Sequence, residues 1–413
     1  MTPAGREKAL PEIRGDDGVF VIQQHHGGQP HWDVRVRRGG DLVSFAVPLG
    51  LPCEPGVNRL AVCTDHPVAG EPVTEWDRGS CAAGHWNDDR VEVTFHGERA
   101  RGRYVFVNVH GEGDRHWIVR RVDPAPAGWR PLPVFVPPML ARPGLLPKVD
   151  EDEQWAYGLA GGGVRAVARV QDGWLVLRDA AGEDITARYP ELRGLGERLA
   201  GAEVLLDGEI VTPRGGRPAV YLVHDLLHVD GLSCLDLPYA ERRALLDGLD
   251  LAGAHWRVCG HYVGDPATAL RVAHSRGLAG VVARRLGSRY RPGRTSPDWL
   301  AVDGVYIAEV VVGGWRPGSG RRSGTFGSLL LGLREGGVLR YVGNVGSGFS
   351  TEELAWLTGR LNEAATDRSP FHSVPEGQAA AAYWVRPSLV AEVVHRGWTN
   401  AGCLRNSRWR GLR

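Results

Sequence analysis

The sequence predicts a multidomain protein: a compact β-barrel or sandwich, then a mixed α and β domain, then a second small β domain. Three observations predict it. The chain has 413 residues, enough for two or three domains. From Gly18 to about Val122 apolar and polar residues alternate with period two, and no helical run of ten residues interrupts them. Residues 123–150 then hold eight prolines, an extended and semi-rigid composition that suits an interdomain connector.

Residues 1–17 form a polar tail. In the first domain, "GVFVIQQH" and "HWDVRVRRGGDLVSFAV" alternate as strands, with Gly39-Gly40 as a hairpin turn. "VEVTFHG", "GRYVFVNVHGEG" and "RHWIVRRV" continue the pattern. The second domain, 151–304, mixes strands such as "AEVLLDGEIVT", "AVYLVHDLLHV" and "AGVVARRL" with two helical segments. "YAERRALLDGL" is one of them. "PATALRVAHSRG" is the other, with Asp265 as N-cap, Pro266 in the first turn and Gly277 beyond the end. From 305 to 413, "IAEVVVGGW" and "SLLLGLREGGVLRYVGNVG" return to strands, and the capping box Ser350-Thr351-Glu352-Glu353 opens one helix.

Composition narrows the function classes. No stretch approaches the ~18 consecutive apolar residues of a membrane span, and the polar start "MTPAGREKALPEIRGDDG" lacks the apolar core of a signal peptide, so a cytoplasmic location is expected. The six cysteines are scattered without a C-x-x-C pair, which argues against zinc and implies no disulfide. Net charge is +1, so any nucleic-acid contact must use local patches. Only two of the 49 basic residues are lysines, Lys8 and Lys148.

The first chemical constellation is His25, His31, Asp33 and Arg35. Alternate strand residues share a face, so His31, Asp33 and Arg35 project together. His25 returns to them across a turn through Gly27, Gly28 and Pro30. Two imidazoles and a carboxylate suit a divalent transition metal such as manganese. A guanidinium beside it suits a phosphate. Together they match the needs of phosphate-ester hydrolysis. The same residues also fit a polar strand face with surface histidines.

The run "FVIQQHHGGQPHWDVRV…FAVPLG…NRLAV…DHP" resembles the 3′-phosphoesterase domain of bacterial DNA ligase D. The resemblance covers about 100 residues. It implies a small β-barrel in which His25, His31 and Asp33 hold manganese, and in which Arg35, Arg59 and His66, with Gln23, meet a 3′-terminal phosphate. Three features depart from the family pattern. Leu49 stands where "AVPKG" has lysine, Gly70 stands where a tyrosine is expected, and "EPVTEWDRGSC" replaces a glycine-rich loop.

From "PPML" at 137 to "RGLR" at 410 the chain resembles the ATP-dependent ligase portion of the same family. The landmarks are "LLDGEIV", "VHDLLHVDG", "SRYRPGRTSPDWL", "GNVGSGF", "YWVRPSLVAEV" and "RNSRWRGLR". They imply an α+β nucleotidyltransferase domain (151–304) and an OB-fold (305–413) able to close around nicked DNA. The chemistry positions differ. Ligation begins with a lysine amine attacking the α-phosphate of ATP. Aligned on K-x-D-G-x-R, this chain reads Ala160-Gly161-Gly162-Gly163-Val164-Arg165. "E-G-I-V-x-K" has become Ala279 to Arg284, and "W-L-K-V-K" has become Trp299-Leu300-Ala301-Val302-Asp303. The aromatic residue expected before Asp225 is His224. Ala160, Arg165, Glu209, His224 and Arg284 therefore mark a vestigial nucleotide site, and ATP is a doubtful cofactor.

The basic candidates for DNA contact are Arg291 and Arg294, Arg321 and Arg322, and Arg408 and Arg410, with Trp409 placed to stack. The expected function is a manganese-dependent DNA 3′-end phosphoesterase in end joining, a monomer, with a ligase-like domain that cannot self-adenylate. A non-catalytic end-binding scaffold is the alternative. A working ATP-dependent ligase is a further one, disfavoured by Ala160. End-joining proteins are the expected partners, with no membrane.

Overall fold

The computed structural model describes residues 18–25, 31–64, 73–109, 115–125, 127–199, 202–212 and 217–413. Eight antiparallel strands close the first domain: β1 (Gly18–His25), β2 (His31–Arg38), β3 (Asp41–Val47), β4 (Asn58–Cys63), β5 (Val73–Trp86), β6 (Arg90–His96), β7 (Arg101–Asn108) and β8 (His116–Arg121). Their order round the barrel is β1-β2-β3-β4-β8-β7-β6-β5. Closure leaves no exposed edge to pair with another chain. Phe20, Ile22, Trp32, Val34, Val36, Phe45, Phe95 and Phe106 fill the interior. Phe45 stacks on Phe106 with centroids 4.3 Å apart. The residues between these, at odd positions on β1 and β2, face outwards. Gly39 takes a φ of 59° in the β2–β3 hairpin, where a left-handed turn needs glycine.

The proline-rich connector is less of a linker than its composition implies. Leu132, Val136 and Met139 are buried with Val167, Leu205, Tyr290 and Trp299. Leu140–Pro143 forms a strand parallel to Thr295–Asp303. Prolines fix an extended backbone, and the apolar residues between them give it something to bury. The second half of 123–150 thus belongs to the domain that follows.

That domain holds two sheets. One is five-stranded and centred on Trp155–Leu159 and Gly280–Arg285; the other carries Val164–Gln171, Val204–Val211 and Val220–Val229 side by side. Both expected helices are present, Tyr239–Asp247 and Pro266–Ser275. Asp265 caps the second by accepting from the Thr268 amide at 2.9 Å. Arg242, fully buried, donates twice to Asp225 at 2.8 Å and fixes the first helix to the second sheet.

In the C-terminal domain the strands run 338–345, 326–335, 306–317, 383–395 and 408–412 across the sheet. Helix Thr351–Glu363 lies between the third and fourth strands in chain order, behind the expected Ser350–Glu353 capping box. Amides of Leu404 and Trp409 donate to carbonyls of Val342 and Ser347 at 2.8 Å and bring the last strand back towards the third. This is the OB arrangement. Buried Arg410 fastens the domain to its neighbour by pairing with both Asp152 and Glu392.

Candidate functional site

His25 ends β1 and His31 opens β2, and the two are direct cross-strand partners. Gln23 is likewise opposite Asp33, and Val21 is opposite Arg35. Directly opposed residues of an antiparallel pair point to the same face. Gln23, His25, His31, Asp33 and Arg35 therefore share the outer face of the barrel, as the period-two reading requires. His25 and Asp33 are buried there, although the face is not the core.

One ligand atom from each of His25, His31 and Asp33 lies within 4.8 Å of the others, and this is the one such group found among the described residues. His25 Nε2 is 3.1 Å from Asp33 Oδ2, and His31 Nε2 is 3.7 Å from Asp33 Oδ1. The two imidazoles stack with centroids 4.4 Å apart. Arg35 reaches Asp33 at 3.5 Å and stays 22% exposed, so its head is near the trio yet open to a ligand. The donor set fits a divalent transition metal: two imidazoles and one carboxylate with converging ligand atoms.

Two other expected members remain to be placed. His66 lies outside the described residues. Arg59 is buried on β4, opposite Val119. Its guanidinium donates to the carbonyl oxygens of Leu49 and Leu51, and to Asp172 of the second domain. The physical reason is strand parity. Arg59 faces the same side of β4 as core residue Ala61, so it points away from the outer face. Arg59 thus serves as a domain-to-domain tie.

In the second domain the residues aligned with nucleotide chemistry do meet. Val164–Gln171 pairs with Val204–Val211, which puts Arg165 opposite Glu209. The loop 160–163 lies on Glu209: the Gly163 amide is 3.5 Å from its carboxylate. A Cβ at Gly161 would come within 2.6 Å of the same oxygen. His224 Nε2 faces that carboxylate at 4.0 Å. Burial pushes the Glu209 carboxyl up, but His224 and Arg165 outweigh it and hold it below the usual range. Arg165 turns to buried Asp207 and donates to both oxygens, at 2.7 and 2.5 Å. Tyr290 donates to Asp207 as well, at 2.8 Å. Arg284 is buried and packs over the Trp299 ring at 4.6 Å.

Lys148 is committed elsewhere. Its ammonium donates to Glu353 at 2.7 Å and to the Gly348 carbonyl at 2.6 Å, both in the C-terminal domain. Of the DNA-contact candidates, Arg291, Arg294, Arg321 and Arg408 are exposed, and Arg322 is half-buried with one bond to the Gly346 carbonyl at 2.8 Å. Arg410 is not available: it is 2% exposed and tied to Asp152 and Glu392. Trp409 is buried as well, stacked on Phe349, because alternate residues of the last strand face the core. Cys259, one of the six scattered cysteines and given no site role from the sequence, lies next to the strand of His224, since its amide donates to the Val223 carbonyl at 2.8 Å. No local pattern marked it, because the contact is made across two strands.

Comparison with known proteins bears on both sites. The DNA Ligase D 3′-phosphoesterase domain model matches residues 23–108, and the ATP dependent DNA ligase C terminal region model matches residues 322–413. The multifunctional non-homologous end joining DNA repair protein LigD of Mycobacterium tuberculosis is 38% identical over 450 residues, covering 100% of this chain. The chain belongs to the DNA ligase D family. LigD of Mycolicibacterium smegmatis is 35% identical over 454 residues, and that of Pseudomonas aeruginosa 30% over 485 residues, covering 95% of the chain. The chain spans 58% of the length of the mycobacterial relatives. The crystallised ligase domain of Mycobacterium tuberculosis LigD is 39% identical, covering 67% of this chain and 95% of that one, with a TM-score of 0.40. No helix among the described residues is long and apolar enough to cross a membrane.

Proposed function

We propose that this ligase D family protein trims 3′-phosphorylated DNA ends with the help of a divalent metal, preferably manganese, and that its ligase-like domain does not form an adenylate. The observation that carries the first part is the convergence of His25, His31 and Asp33, with Arg35 at 3.5 Å from the carboxylate. A metal held by this trio would polarise a phosphoryl oxygen and lower the pKa of a bound water. The chain's own part is to hold the ligands and neutralise the ester. Asp33 orients both imidazoles. Arg35 supplies a planar fork of donors on the same face, which suits two phosphate oxygens.

The second part rests on Ala160. An alanine has no amine to attack ATP. Arginine at 165 or 284 is no substitute, because a guanidinium stays protonated. Lys148 is held by Glu353 and Gly348. The exposed arginines 291, 294, 321 and 408 would meet DNA phosphates around the broken end. End-joining proteins are the proposed partners.

The test supplies 3′-phosphate and 3′-ribonucleotide primers with manganese and follows release of phosphate and nucleoside. Metal-dependent trimming supports the reading. A protein that binds manganese but releases nothing is the end-binding scaffold instead, and the engagement of Arg59 by Asp172 is the observation that favours that second reading.

A further inference from the structure

The seam between the second domain and the OB domain encloses a cavity of about 220 Å³. Leu145, Leu146 and Val302 line it from one side, and Val394, Arg396 and Arg408 from the other. Lys148 and Arg410 also reach it, but both are bound to carboxylates. Arg396 and Arg408 are exposed. Arg405 is exposed too, and the Arg396 amide donates to its carbonyl at 2.8 Å. A run of rings starts at the same seam. His274, on helix Pro266–Ser275 of the second domain, packs on Tyr306 with centroids 4.2 Å apart. Tyr306 meets His395 at 5.6 Å, and His395 meets Trp398 at 5.6 Å. Tyr306 and Trp398 are each 45% exposed, although tryptophan is mostly buried in folded proteins. Arg340 packs over the Trp398 ring at 5.8 Å, held there by two bonds to Glu335. The run and the cavity adjoin, because Val305 and Arg396, next to Tyr306 and His395 in the chain, line the cavity.

We propose that this seam binds single-stranded DNA, the unpaired tail of a broken end, with bases against Tyr306 and Trp398, phosphates beside Arg396, Arg405 and Arg408, and one base in the cavity. The inference rests on the proposed function only in taking DNA as the partner and in sharing Arg408; it does not need the metal trio. Exposed aromatic rings beside free positive charge are what a single strand requires, since every base has a face to stack and every linkage a phosphate to neutralise. A duplex offers no such face, because its bases already stack on each other. The cavity is smaller than the about 300–1,000 Å³ of small-molecule sites, so it suits one ring and not a whole free ligand. Glu151 and Asp303 also stand on its wall. They repel a phosphate or an acidic peptide from the interior, and they can accept from the amine of a base.

The two sides of the seam are fixed before any strand arrives. Arg410 joins Asp152 to Glu392, and Lys148 joins the connector to Glu353. The ring run crosses the same boundary. Ordering of the platform therefore belongs to folding, and binding does not have to repeat it.

The full chain is titrated, by fluorescence anisotropy, against a labelled single strand of about 12 nucleotides, within the site size of one OB fold, and against a blunt duplex of the same sequence. Trp398→Ala should weaken the single strand by roughly fivefold or more and leave the duplex unchanged, while Trp398→Phe should keep most of the affinity. Arg396→Ala should lower the slope of log affinity against log salt by about 0.7, the share of one phosphate on a single strand. If Trp398→Ala does not fold, the Arg396→Ala slope decides. A wild type that does not bind the single strand overturns the inference. So does Trp398→Ala protein that binds it as well as the wild type, or that loses strand and duplex equally. Poly-glutamate that displaces the strand as well as unlabelled DNA does would mark an acidic-peptide site and overturn it too. Absence of phosphate release by a wild type that meets the single-strand expectations sinks the phosphoesterase reading alone.

Discussion

Arg35→Ala and His31→Ala separate metal binding from phosphate stabilisation, because the two side chains touch the same carboxylate from different positions. His31 contributes one of the three converging ligand atoms. Arg35 contributes none; it stands 3.5 Å from Asp33 and is 22% exposed. Removing His31 should lower manganese occupancy and phosphate release together. Removing Arg35 should leave occupancy intact, since it withdraws a positive charge that competes with the ion for Asp33. Turnover should still fall. A donor aimed at developing phosphoryl charge contributes about 3–4 kcal/mol, a loss of roughly 10²–10³ in turnover. Arg35→Lys keeps the charge but loses the fork, so an intermediate loss is expected. Metal content of the purified variants and release of phosphate from a 3′-phosphorylated primer are the two readings. Arg35→Ala protein that loses its manganese, or one that trims as fast as the wild type, would refute the assignment.

The remaining predictions concern the other domains. Incubation with labelled ATP and a divalent ion should give no labelled band after denaturing electrophoresis; a band that survives would restore a nucleophile to the domain and point to Lys148. Weak, sequence-independent duplex binding should fall roughly a hundredfold between 50 and 200 mM salt if four exposed arginines meet phosphates, and salt-insensitive binding would remove those contacts. Arg410→Met should cost about 3–5 kcal/mol in denaturant unfolding, because Asp152 and Glu392 lose the cation between them; an unchanged midpoint would show that the network is not structural. His228, buried with neither ring nitrogen bonded among the described residues, is pushed down to about 4 by desolvation. The unfolded chain therefore binds the proton first, so stability should fall from about pH 6.5 towards pH 4. His228→Leu should flatten that decline, and an equally steep one would place the acid sensitivity elsewhere.

How much of this was legible in the sequence depended on whether a residue's neighbour was near in the chain. β1 and β2 were legible to the residue, and so was the trio, because alternation and a short turn fix which side chains share a face. β5 was not. Its Gly79 and Gly84 break the alternation, and Gly79 is needed because a Cβ there would come within 2.9 Å of Phe20. Cap signals placed Pro266–Ser275 and Thr351–Glu363 because caps are local. The apolar residues of the connector were visible, but their burial against Tyr290 and Trp299 depends on packing made more than a hundred residues later. Arg59, Arg410 and Cys259 share that limit. Arg59 is matched by Asp172 and Arg410 by Asp152, each in another domain, and Cys259 reaches the strand of His224 through its amide bond to the Val223 carbonyl.

Other long-range pairs explain how the second domain keeps its fold without its lysines. The charges that would have served a nucleotide are satisfied internally. Asp207 is closed by Arg165 and Tyr290, and Asp225 by Arg242. Each is a fully buried carboxylate meeting a bidentate guanidinium, an arrangement that removal of one partner would make costly. Neither pair involves position 160, 301 or 303, so alanine or aspartate at those positions leaves the sheets undisturbed. Glu209, His224 and Arg284 are different. Glu209 and His224 face each other at 4.0 Å, too far for a hydrogen bond, and the Arg284 Nε has no hydrogen-bond partner among the described residues. The carboxylates that hold the fold are saturated, while the Glu209–His224 pair and the Arg284 Nε are not.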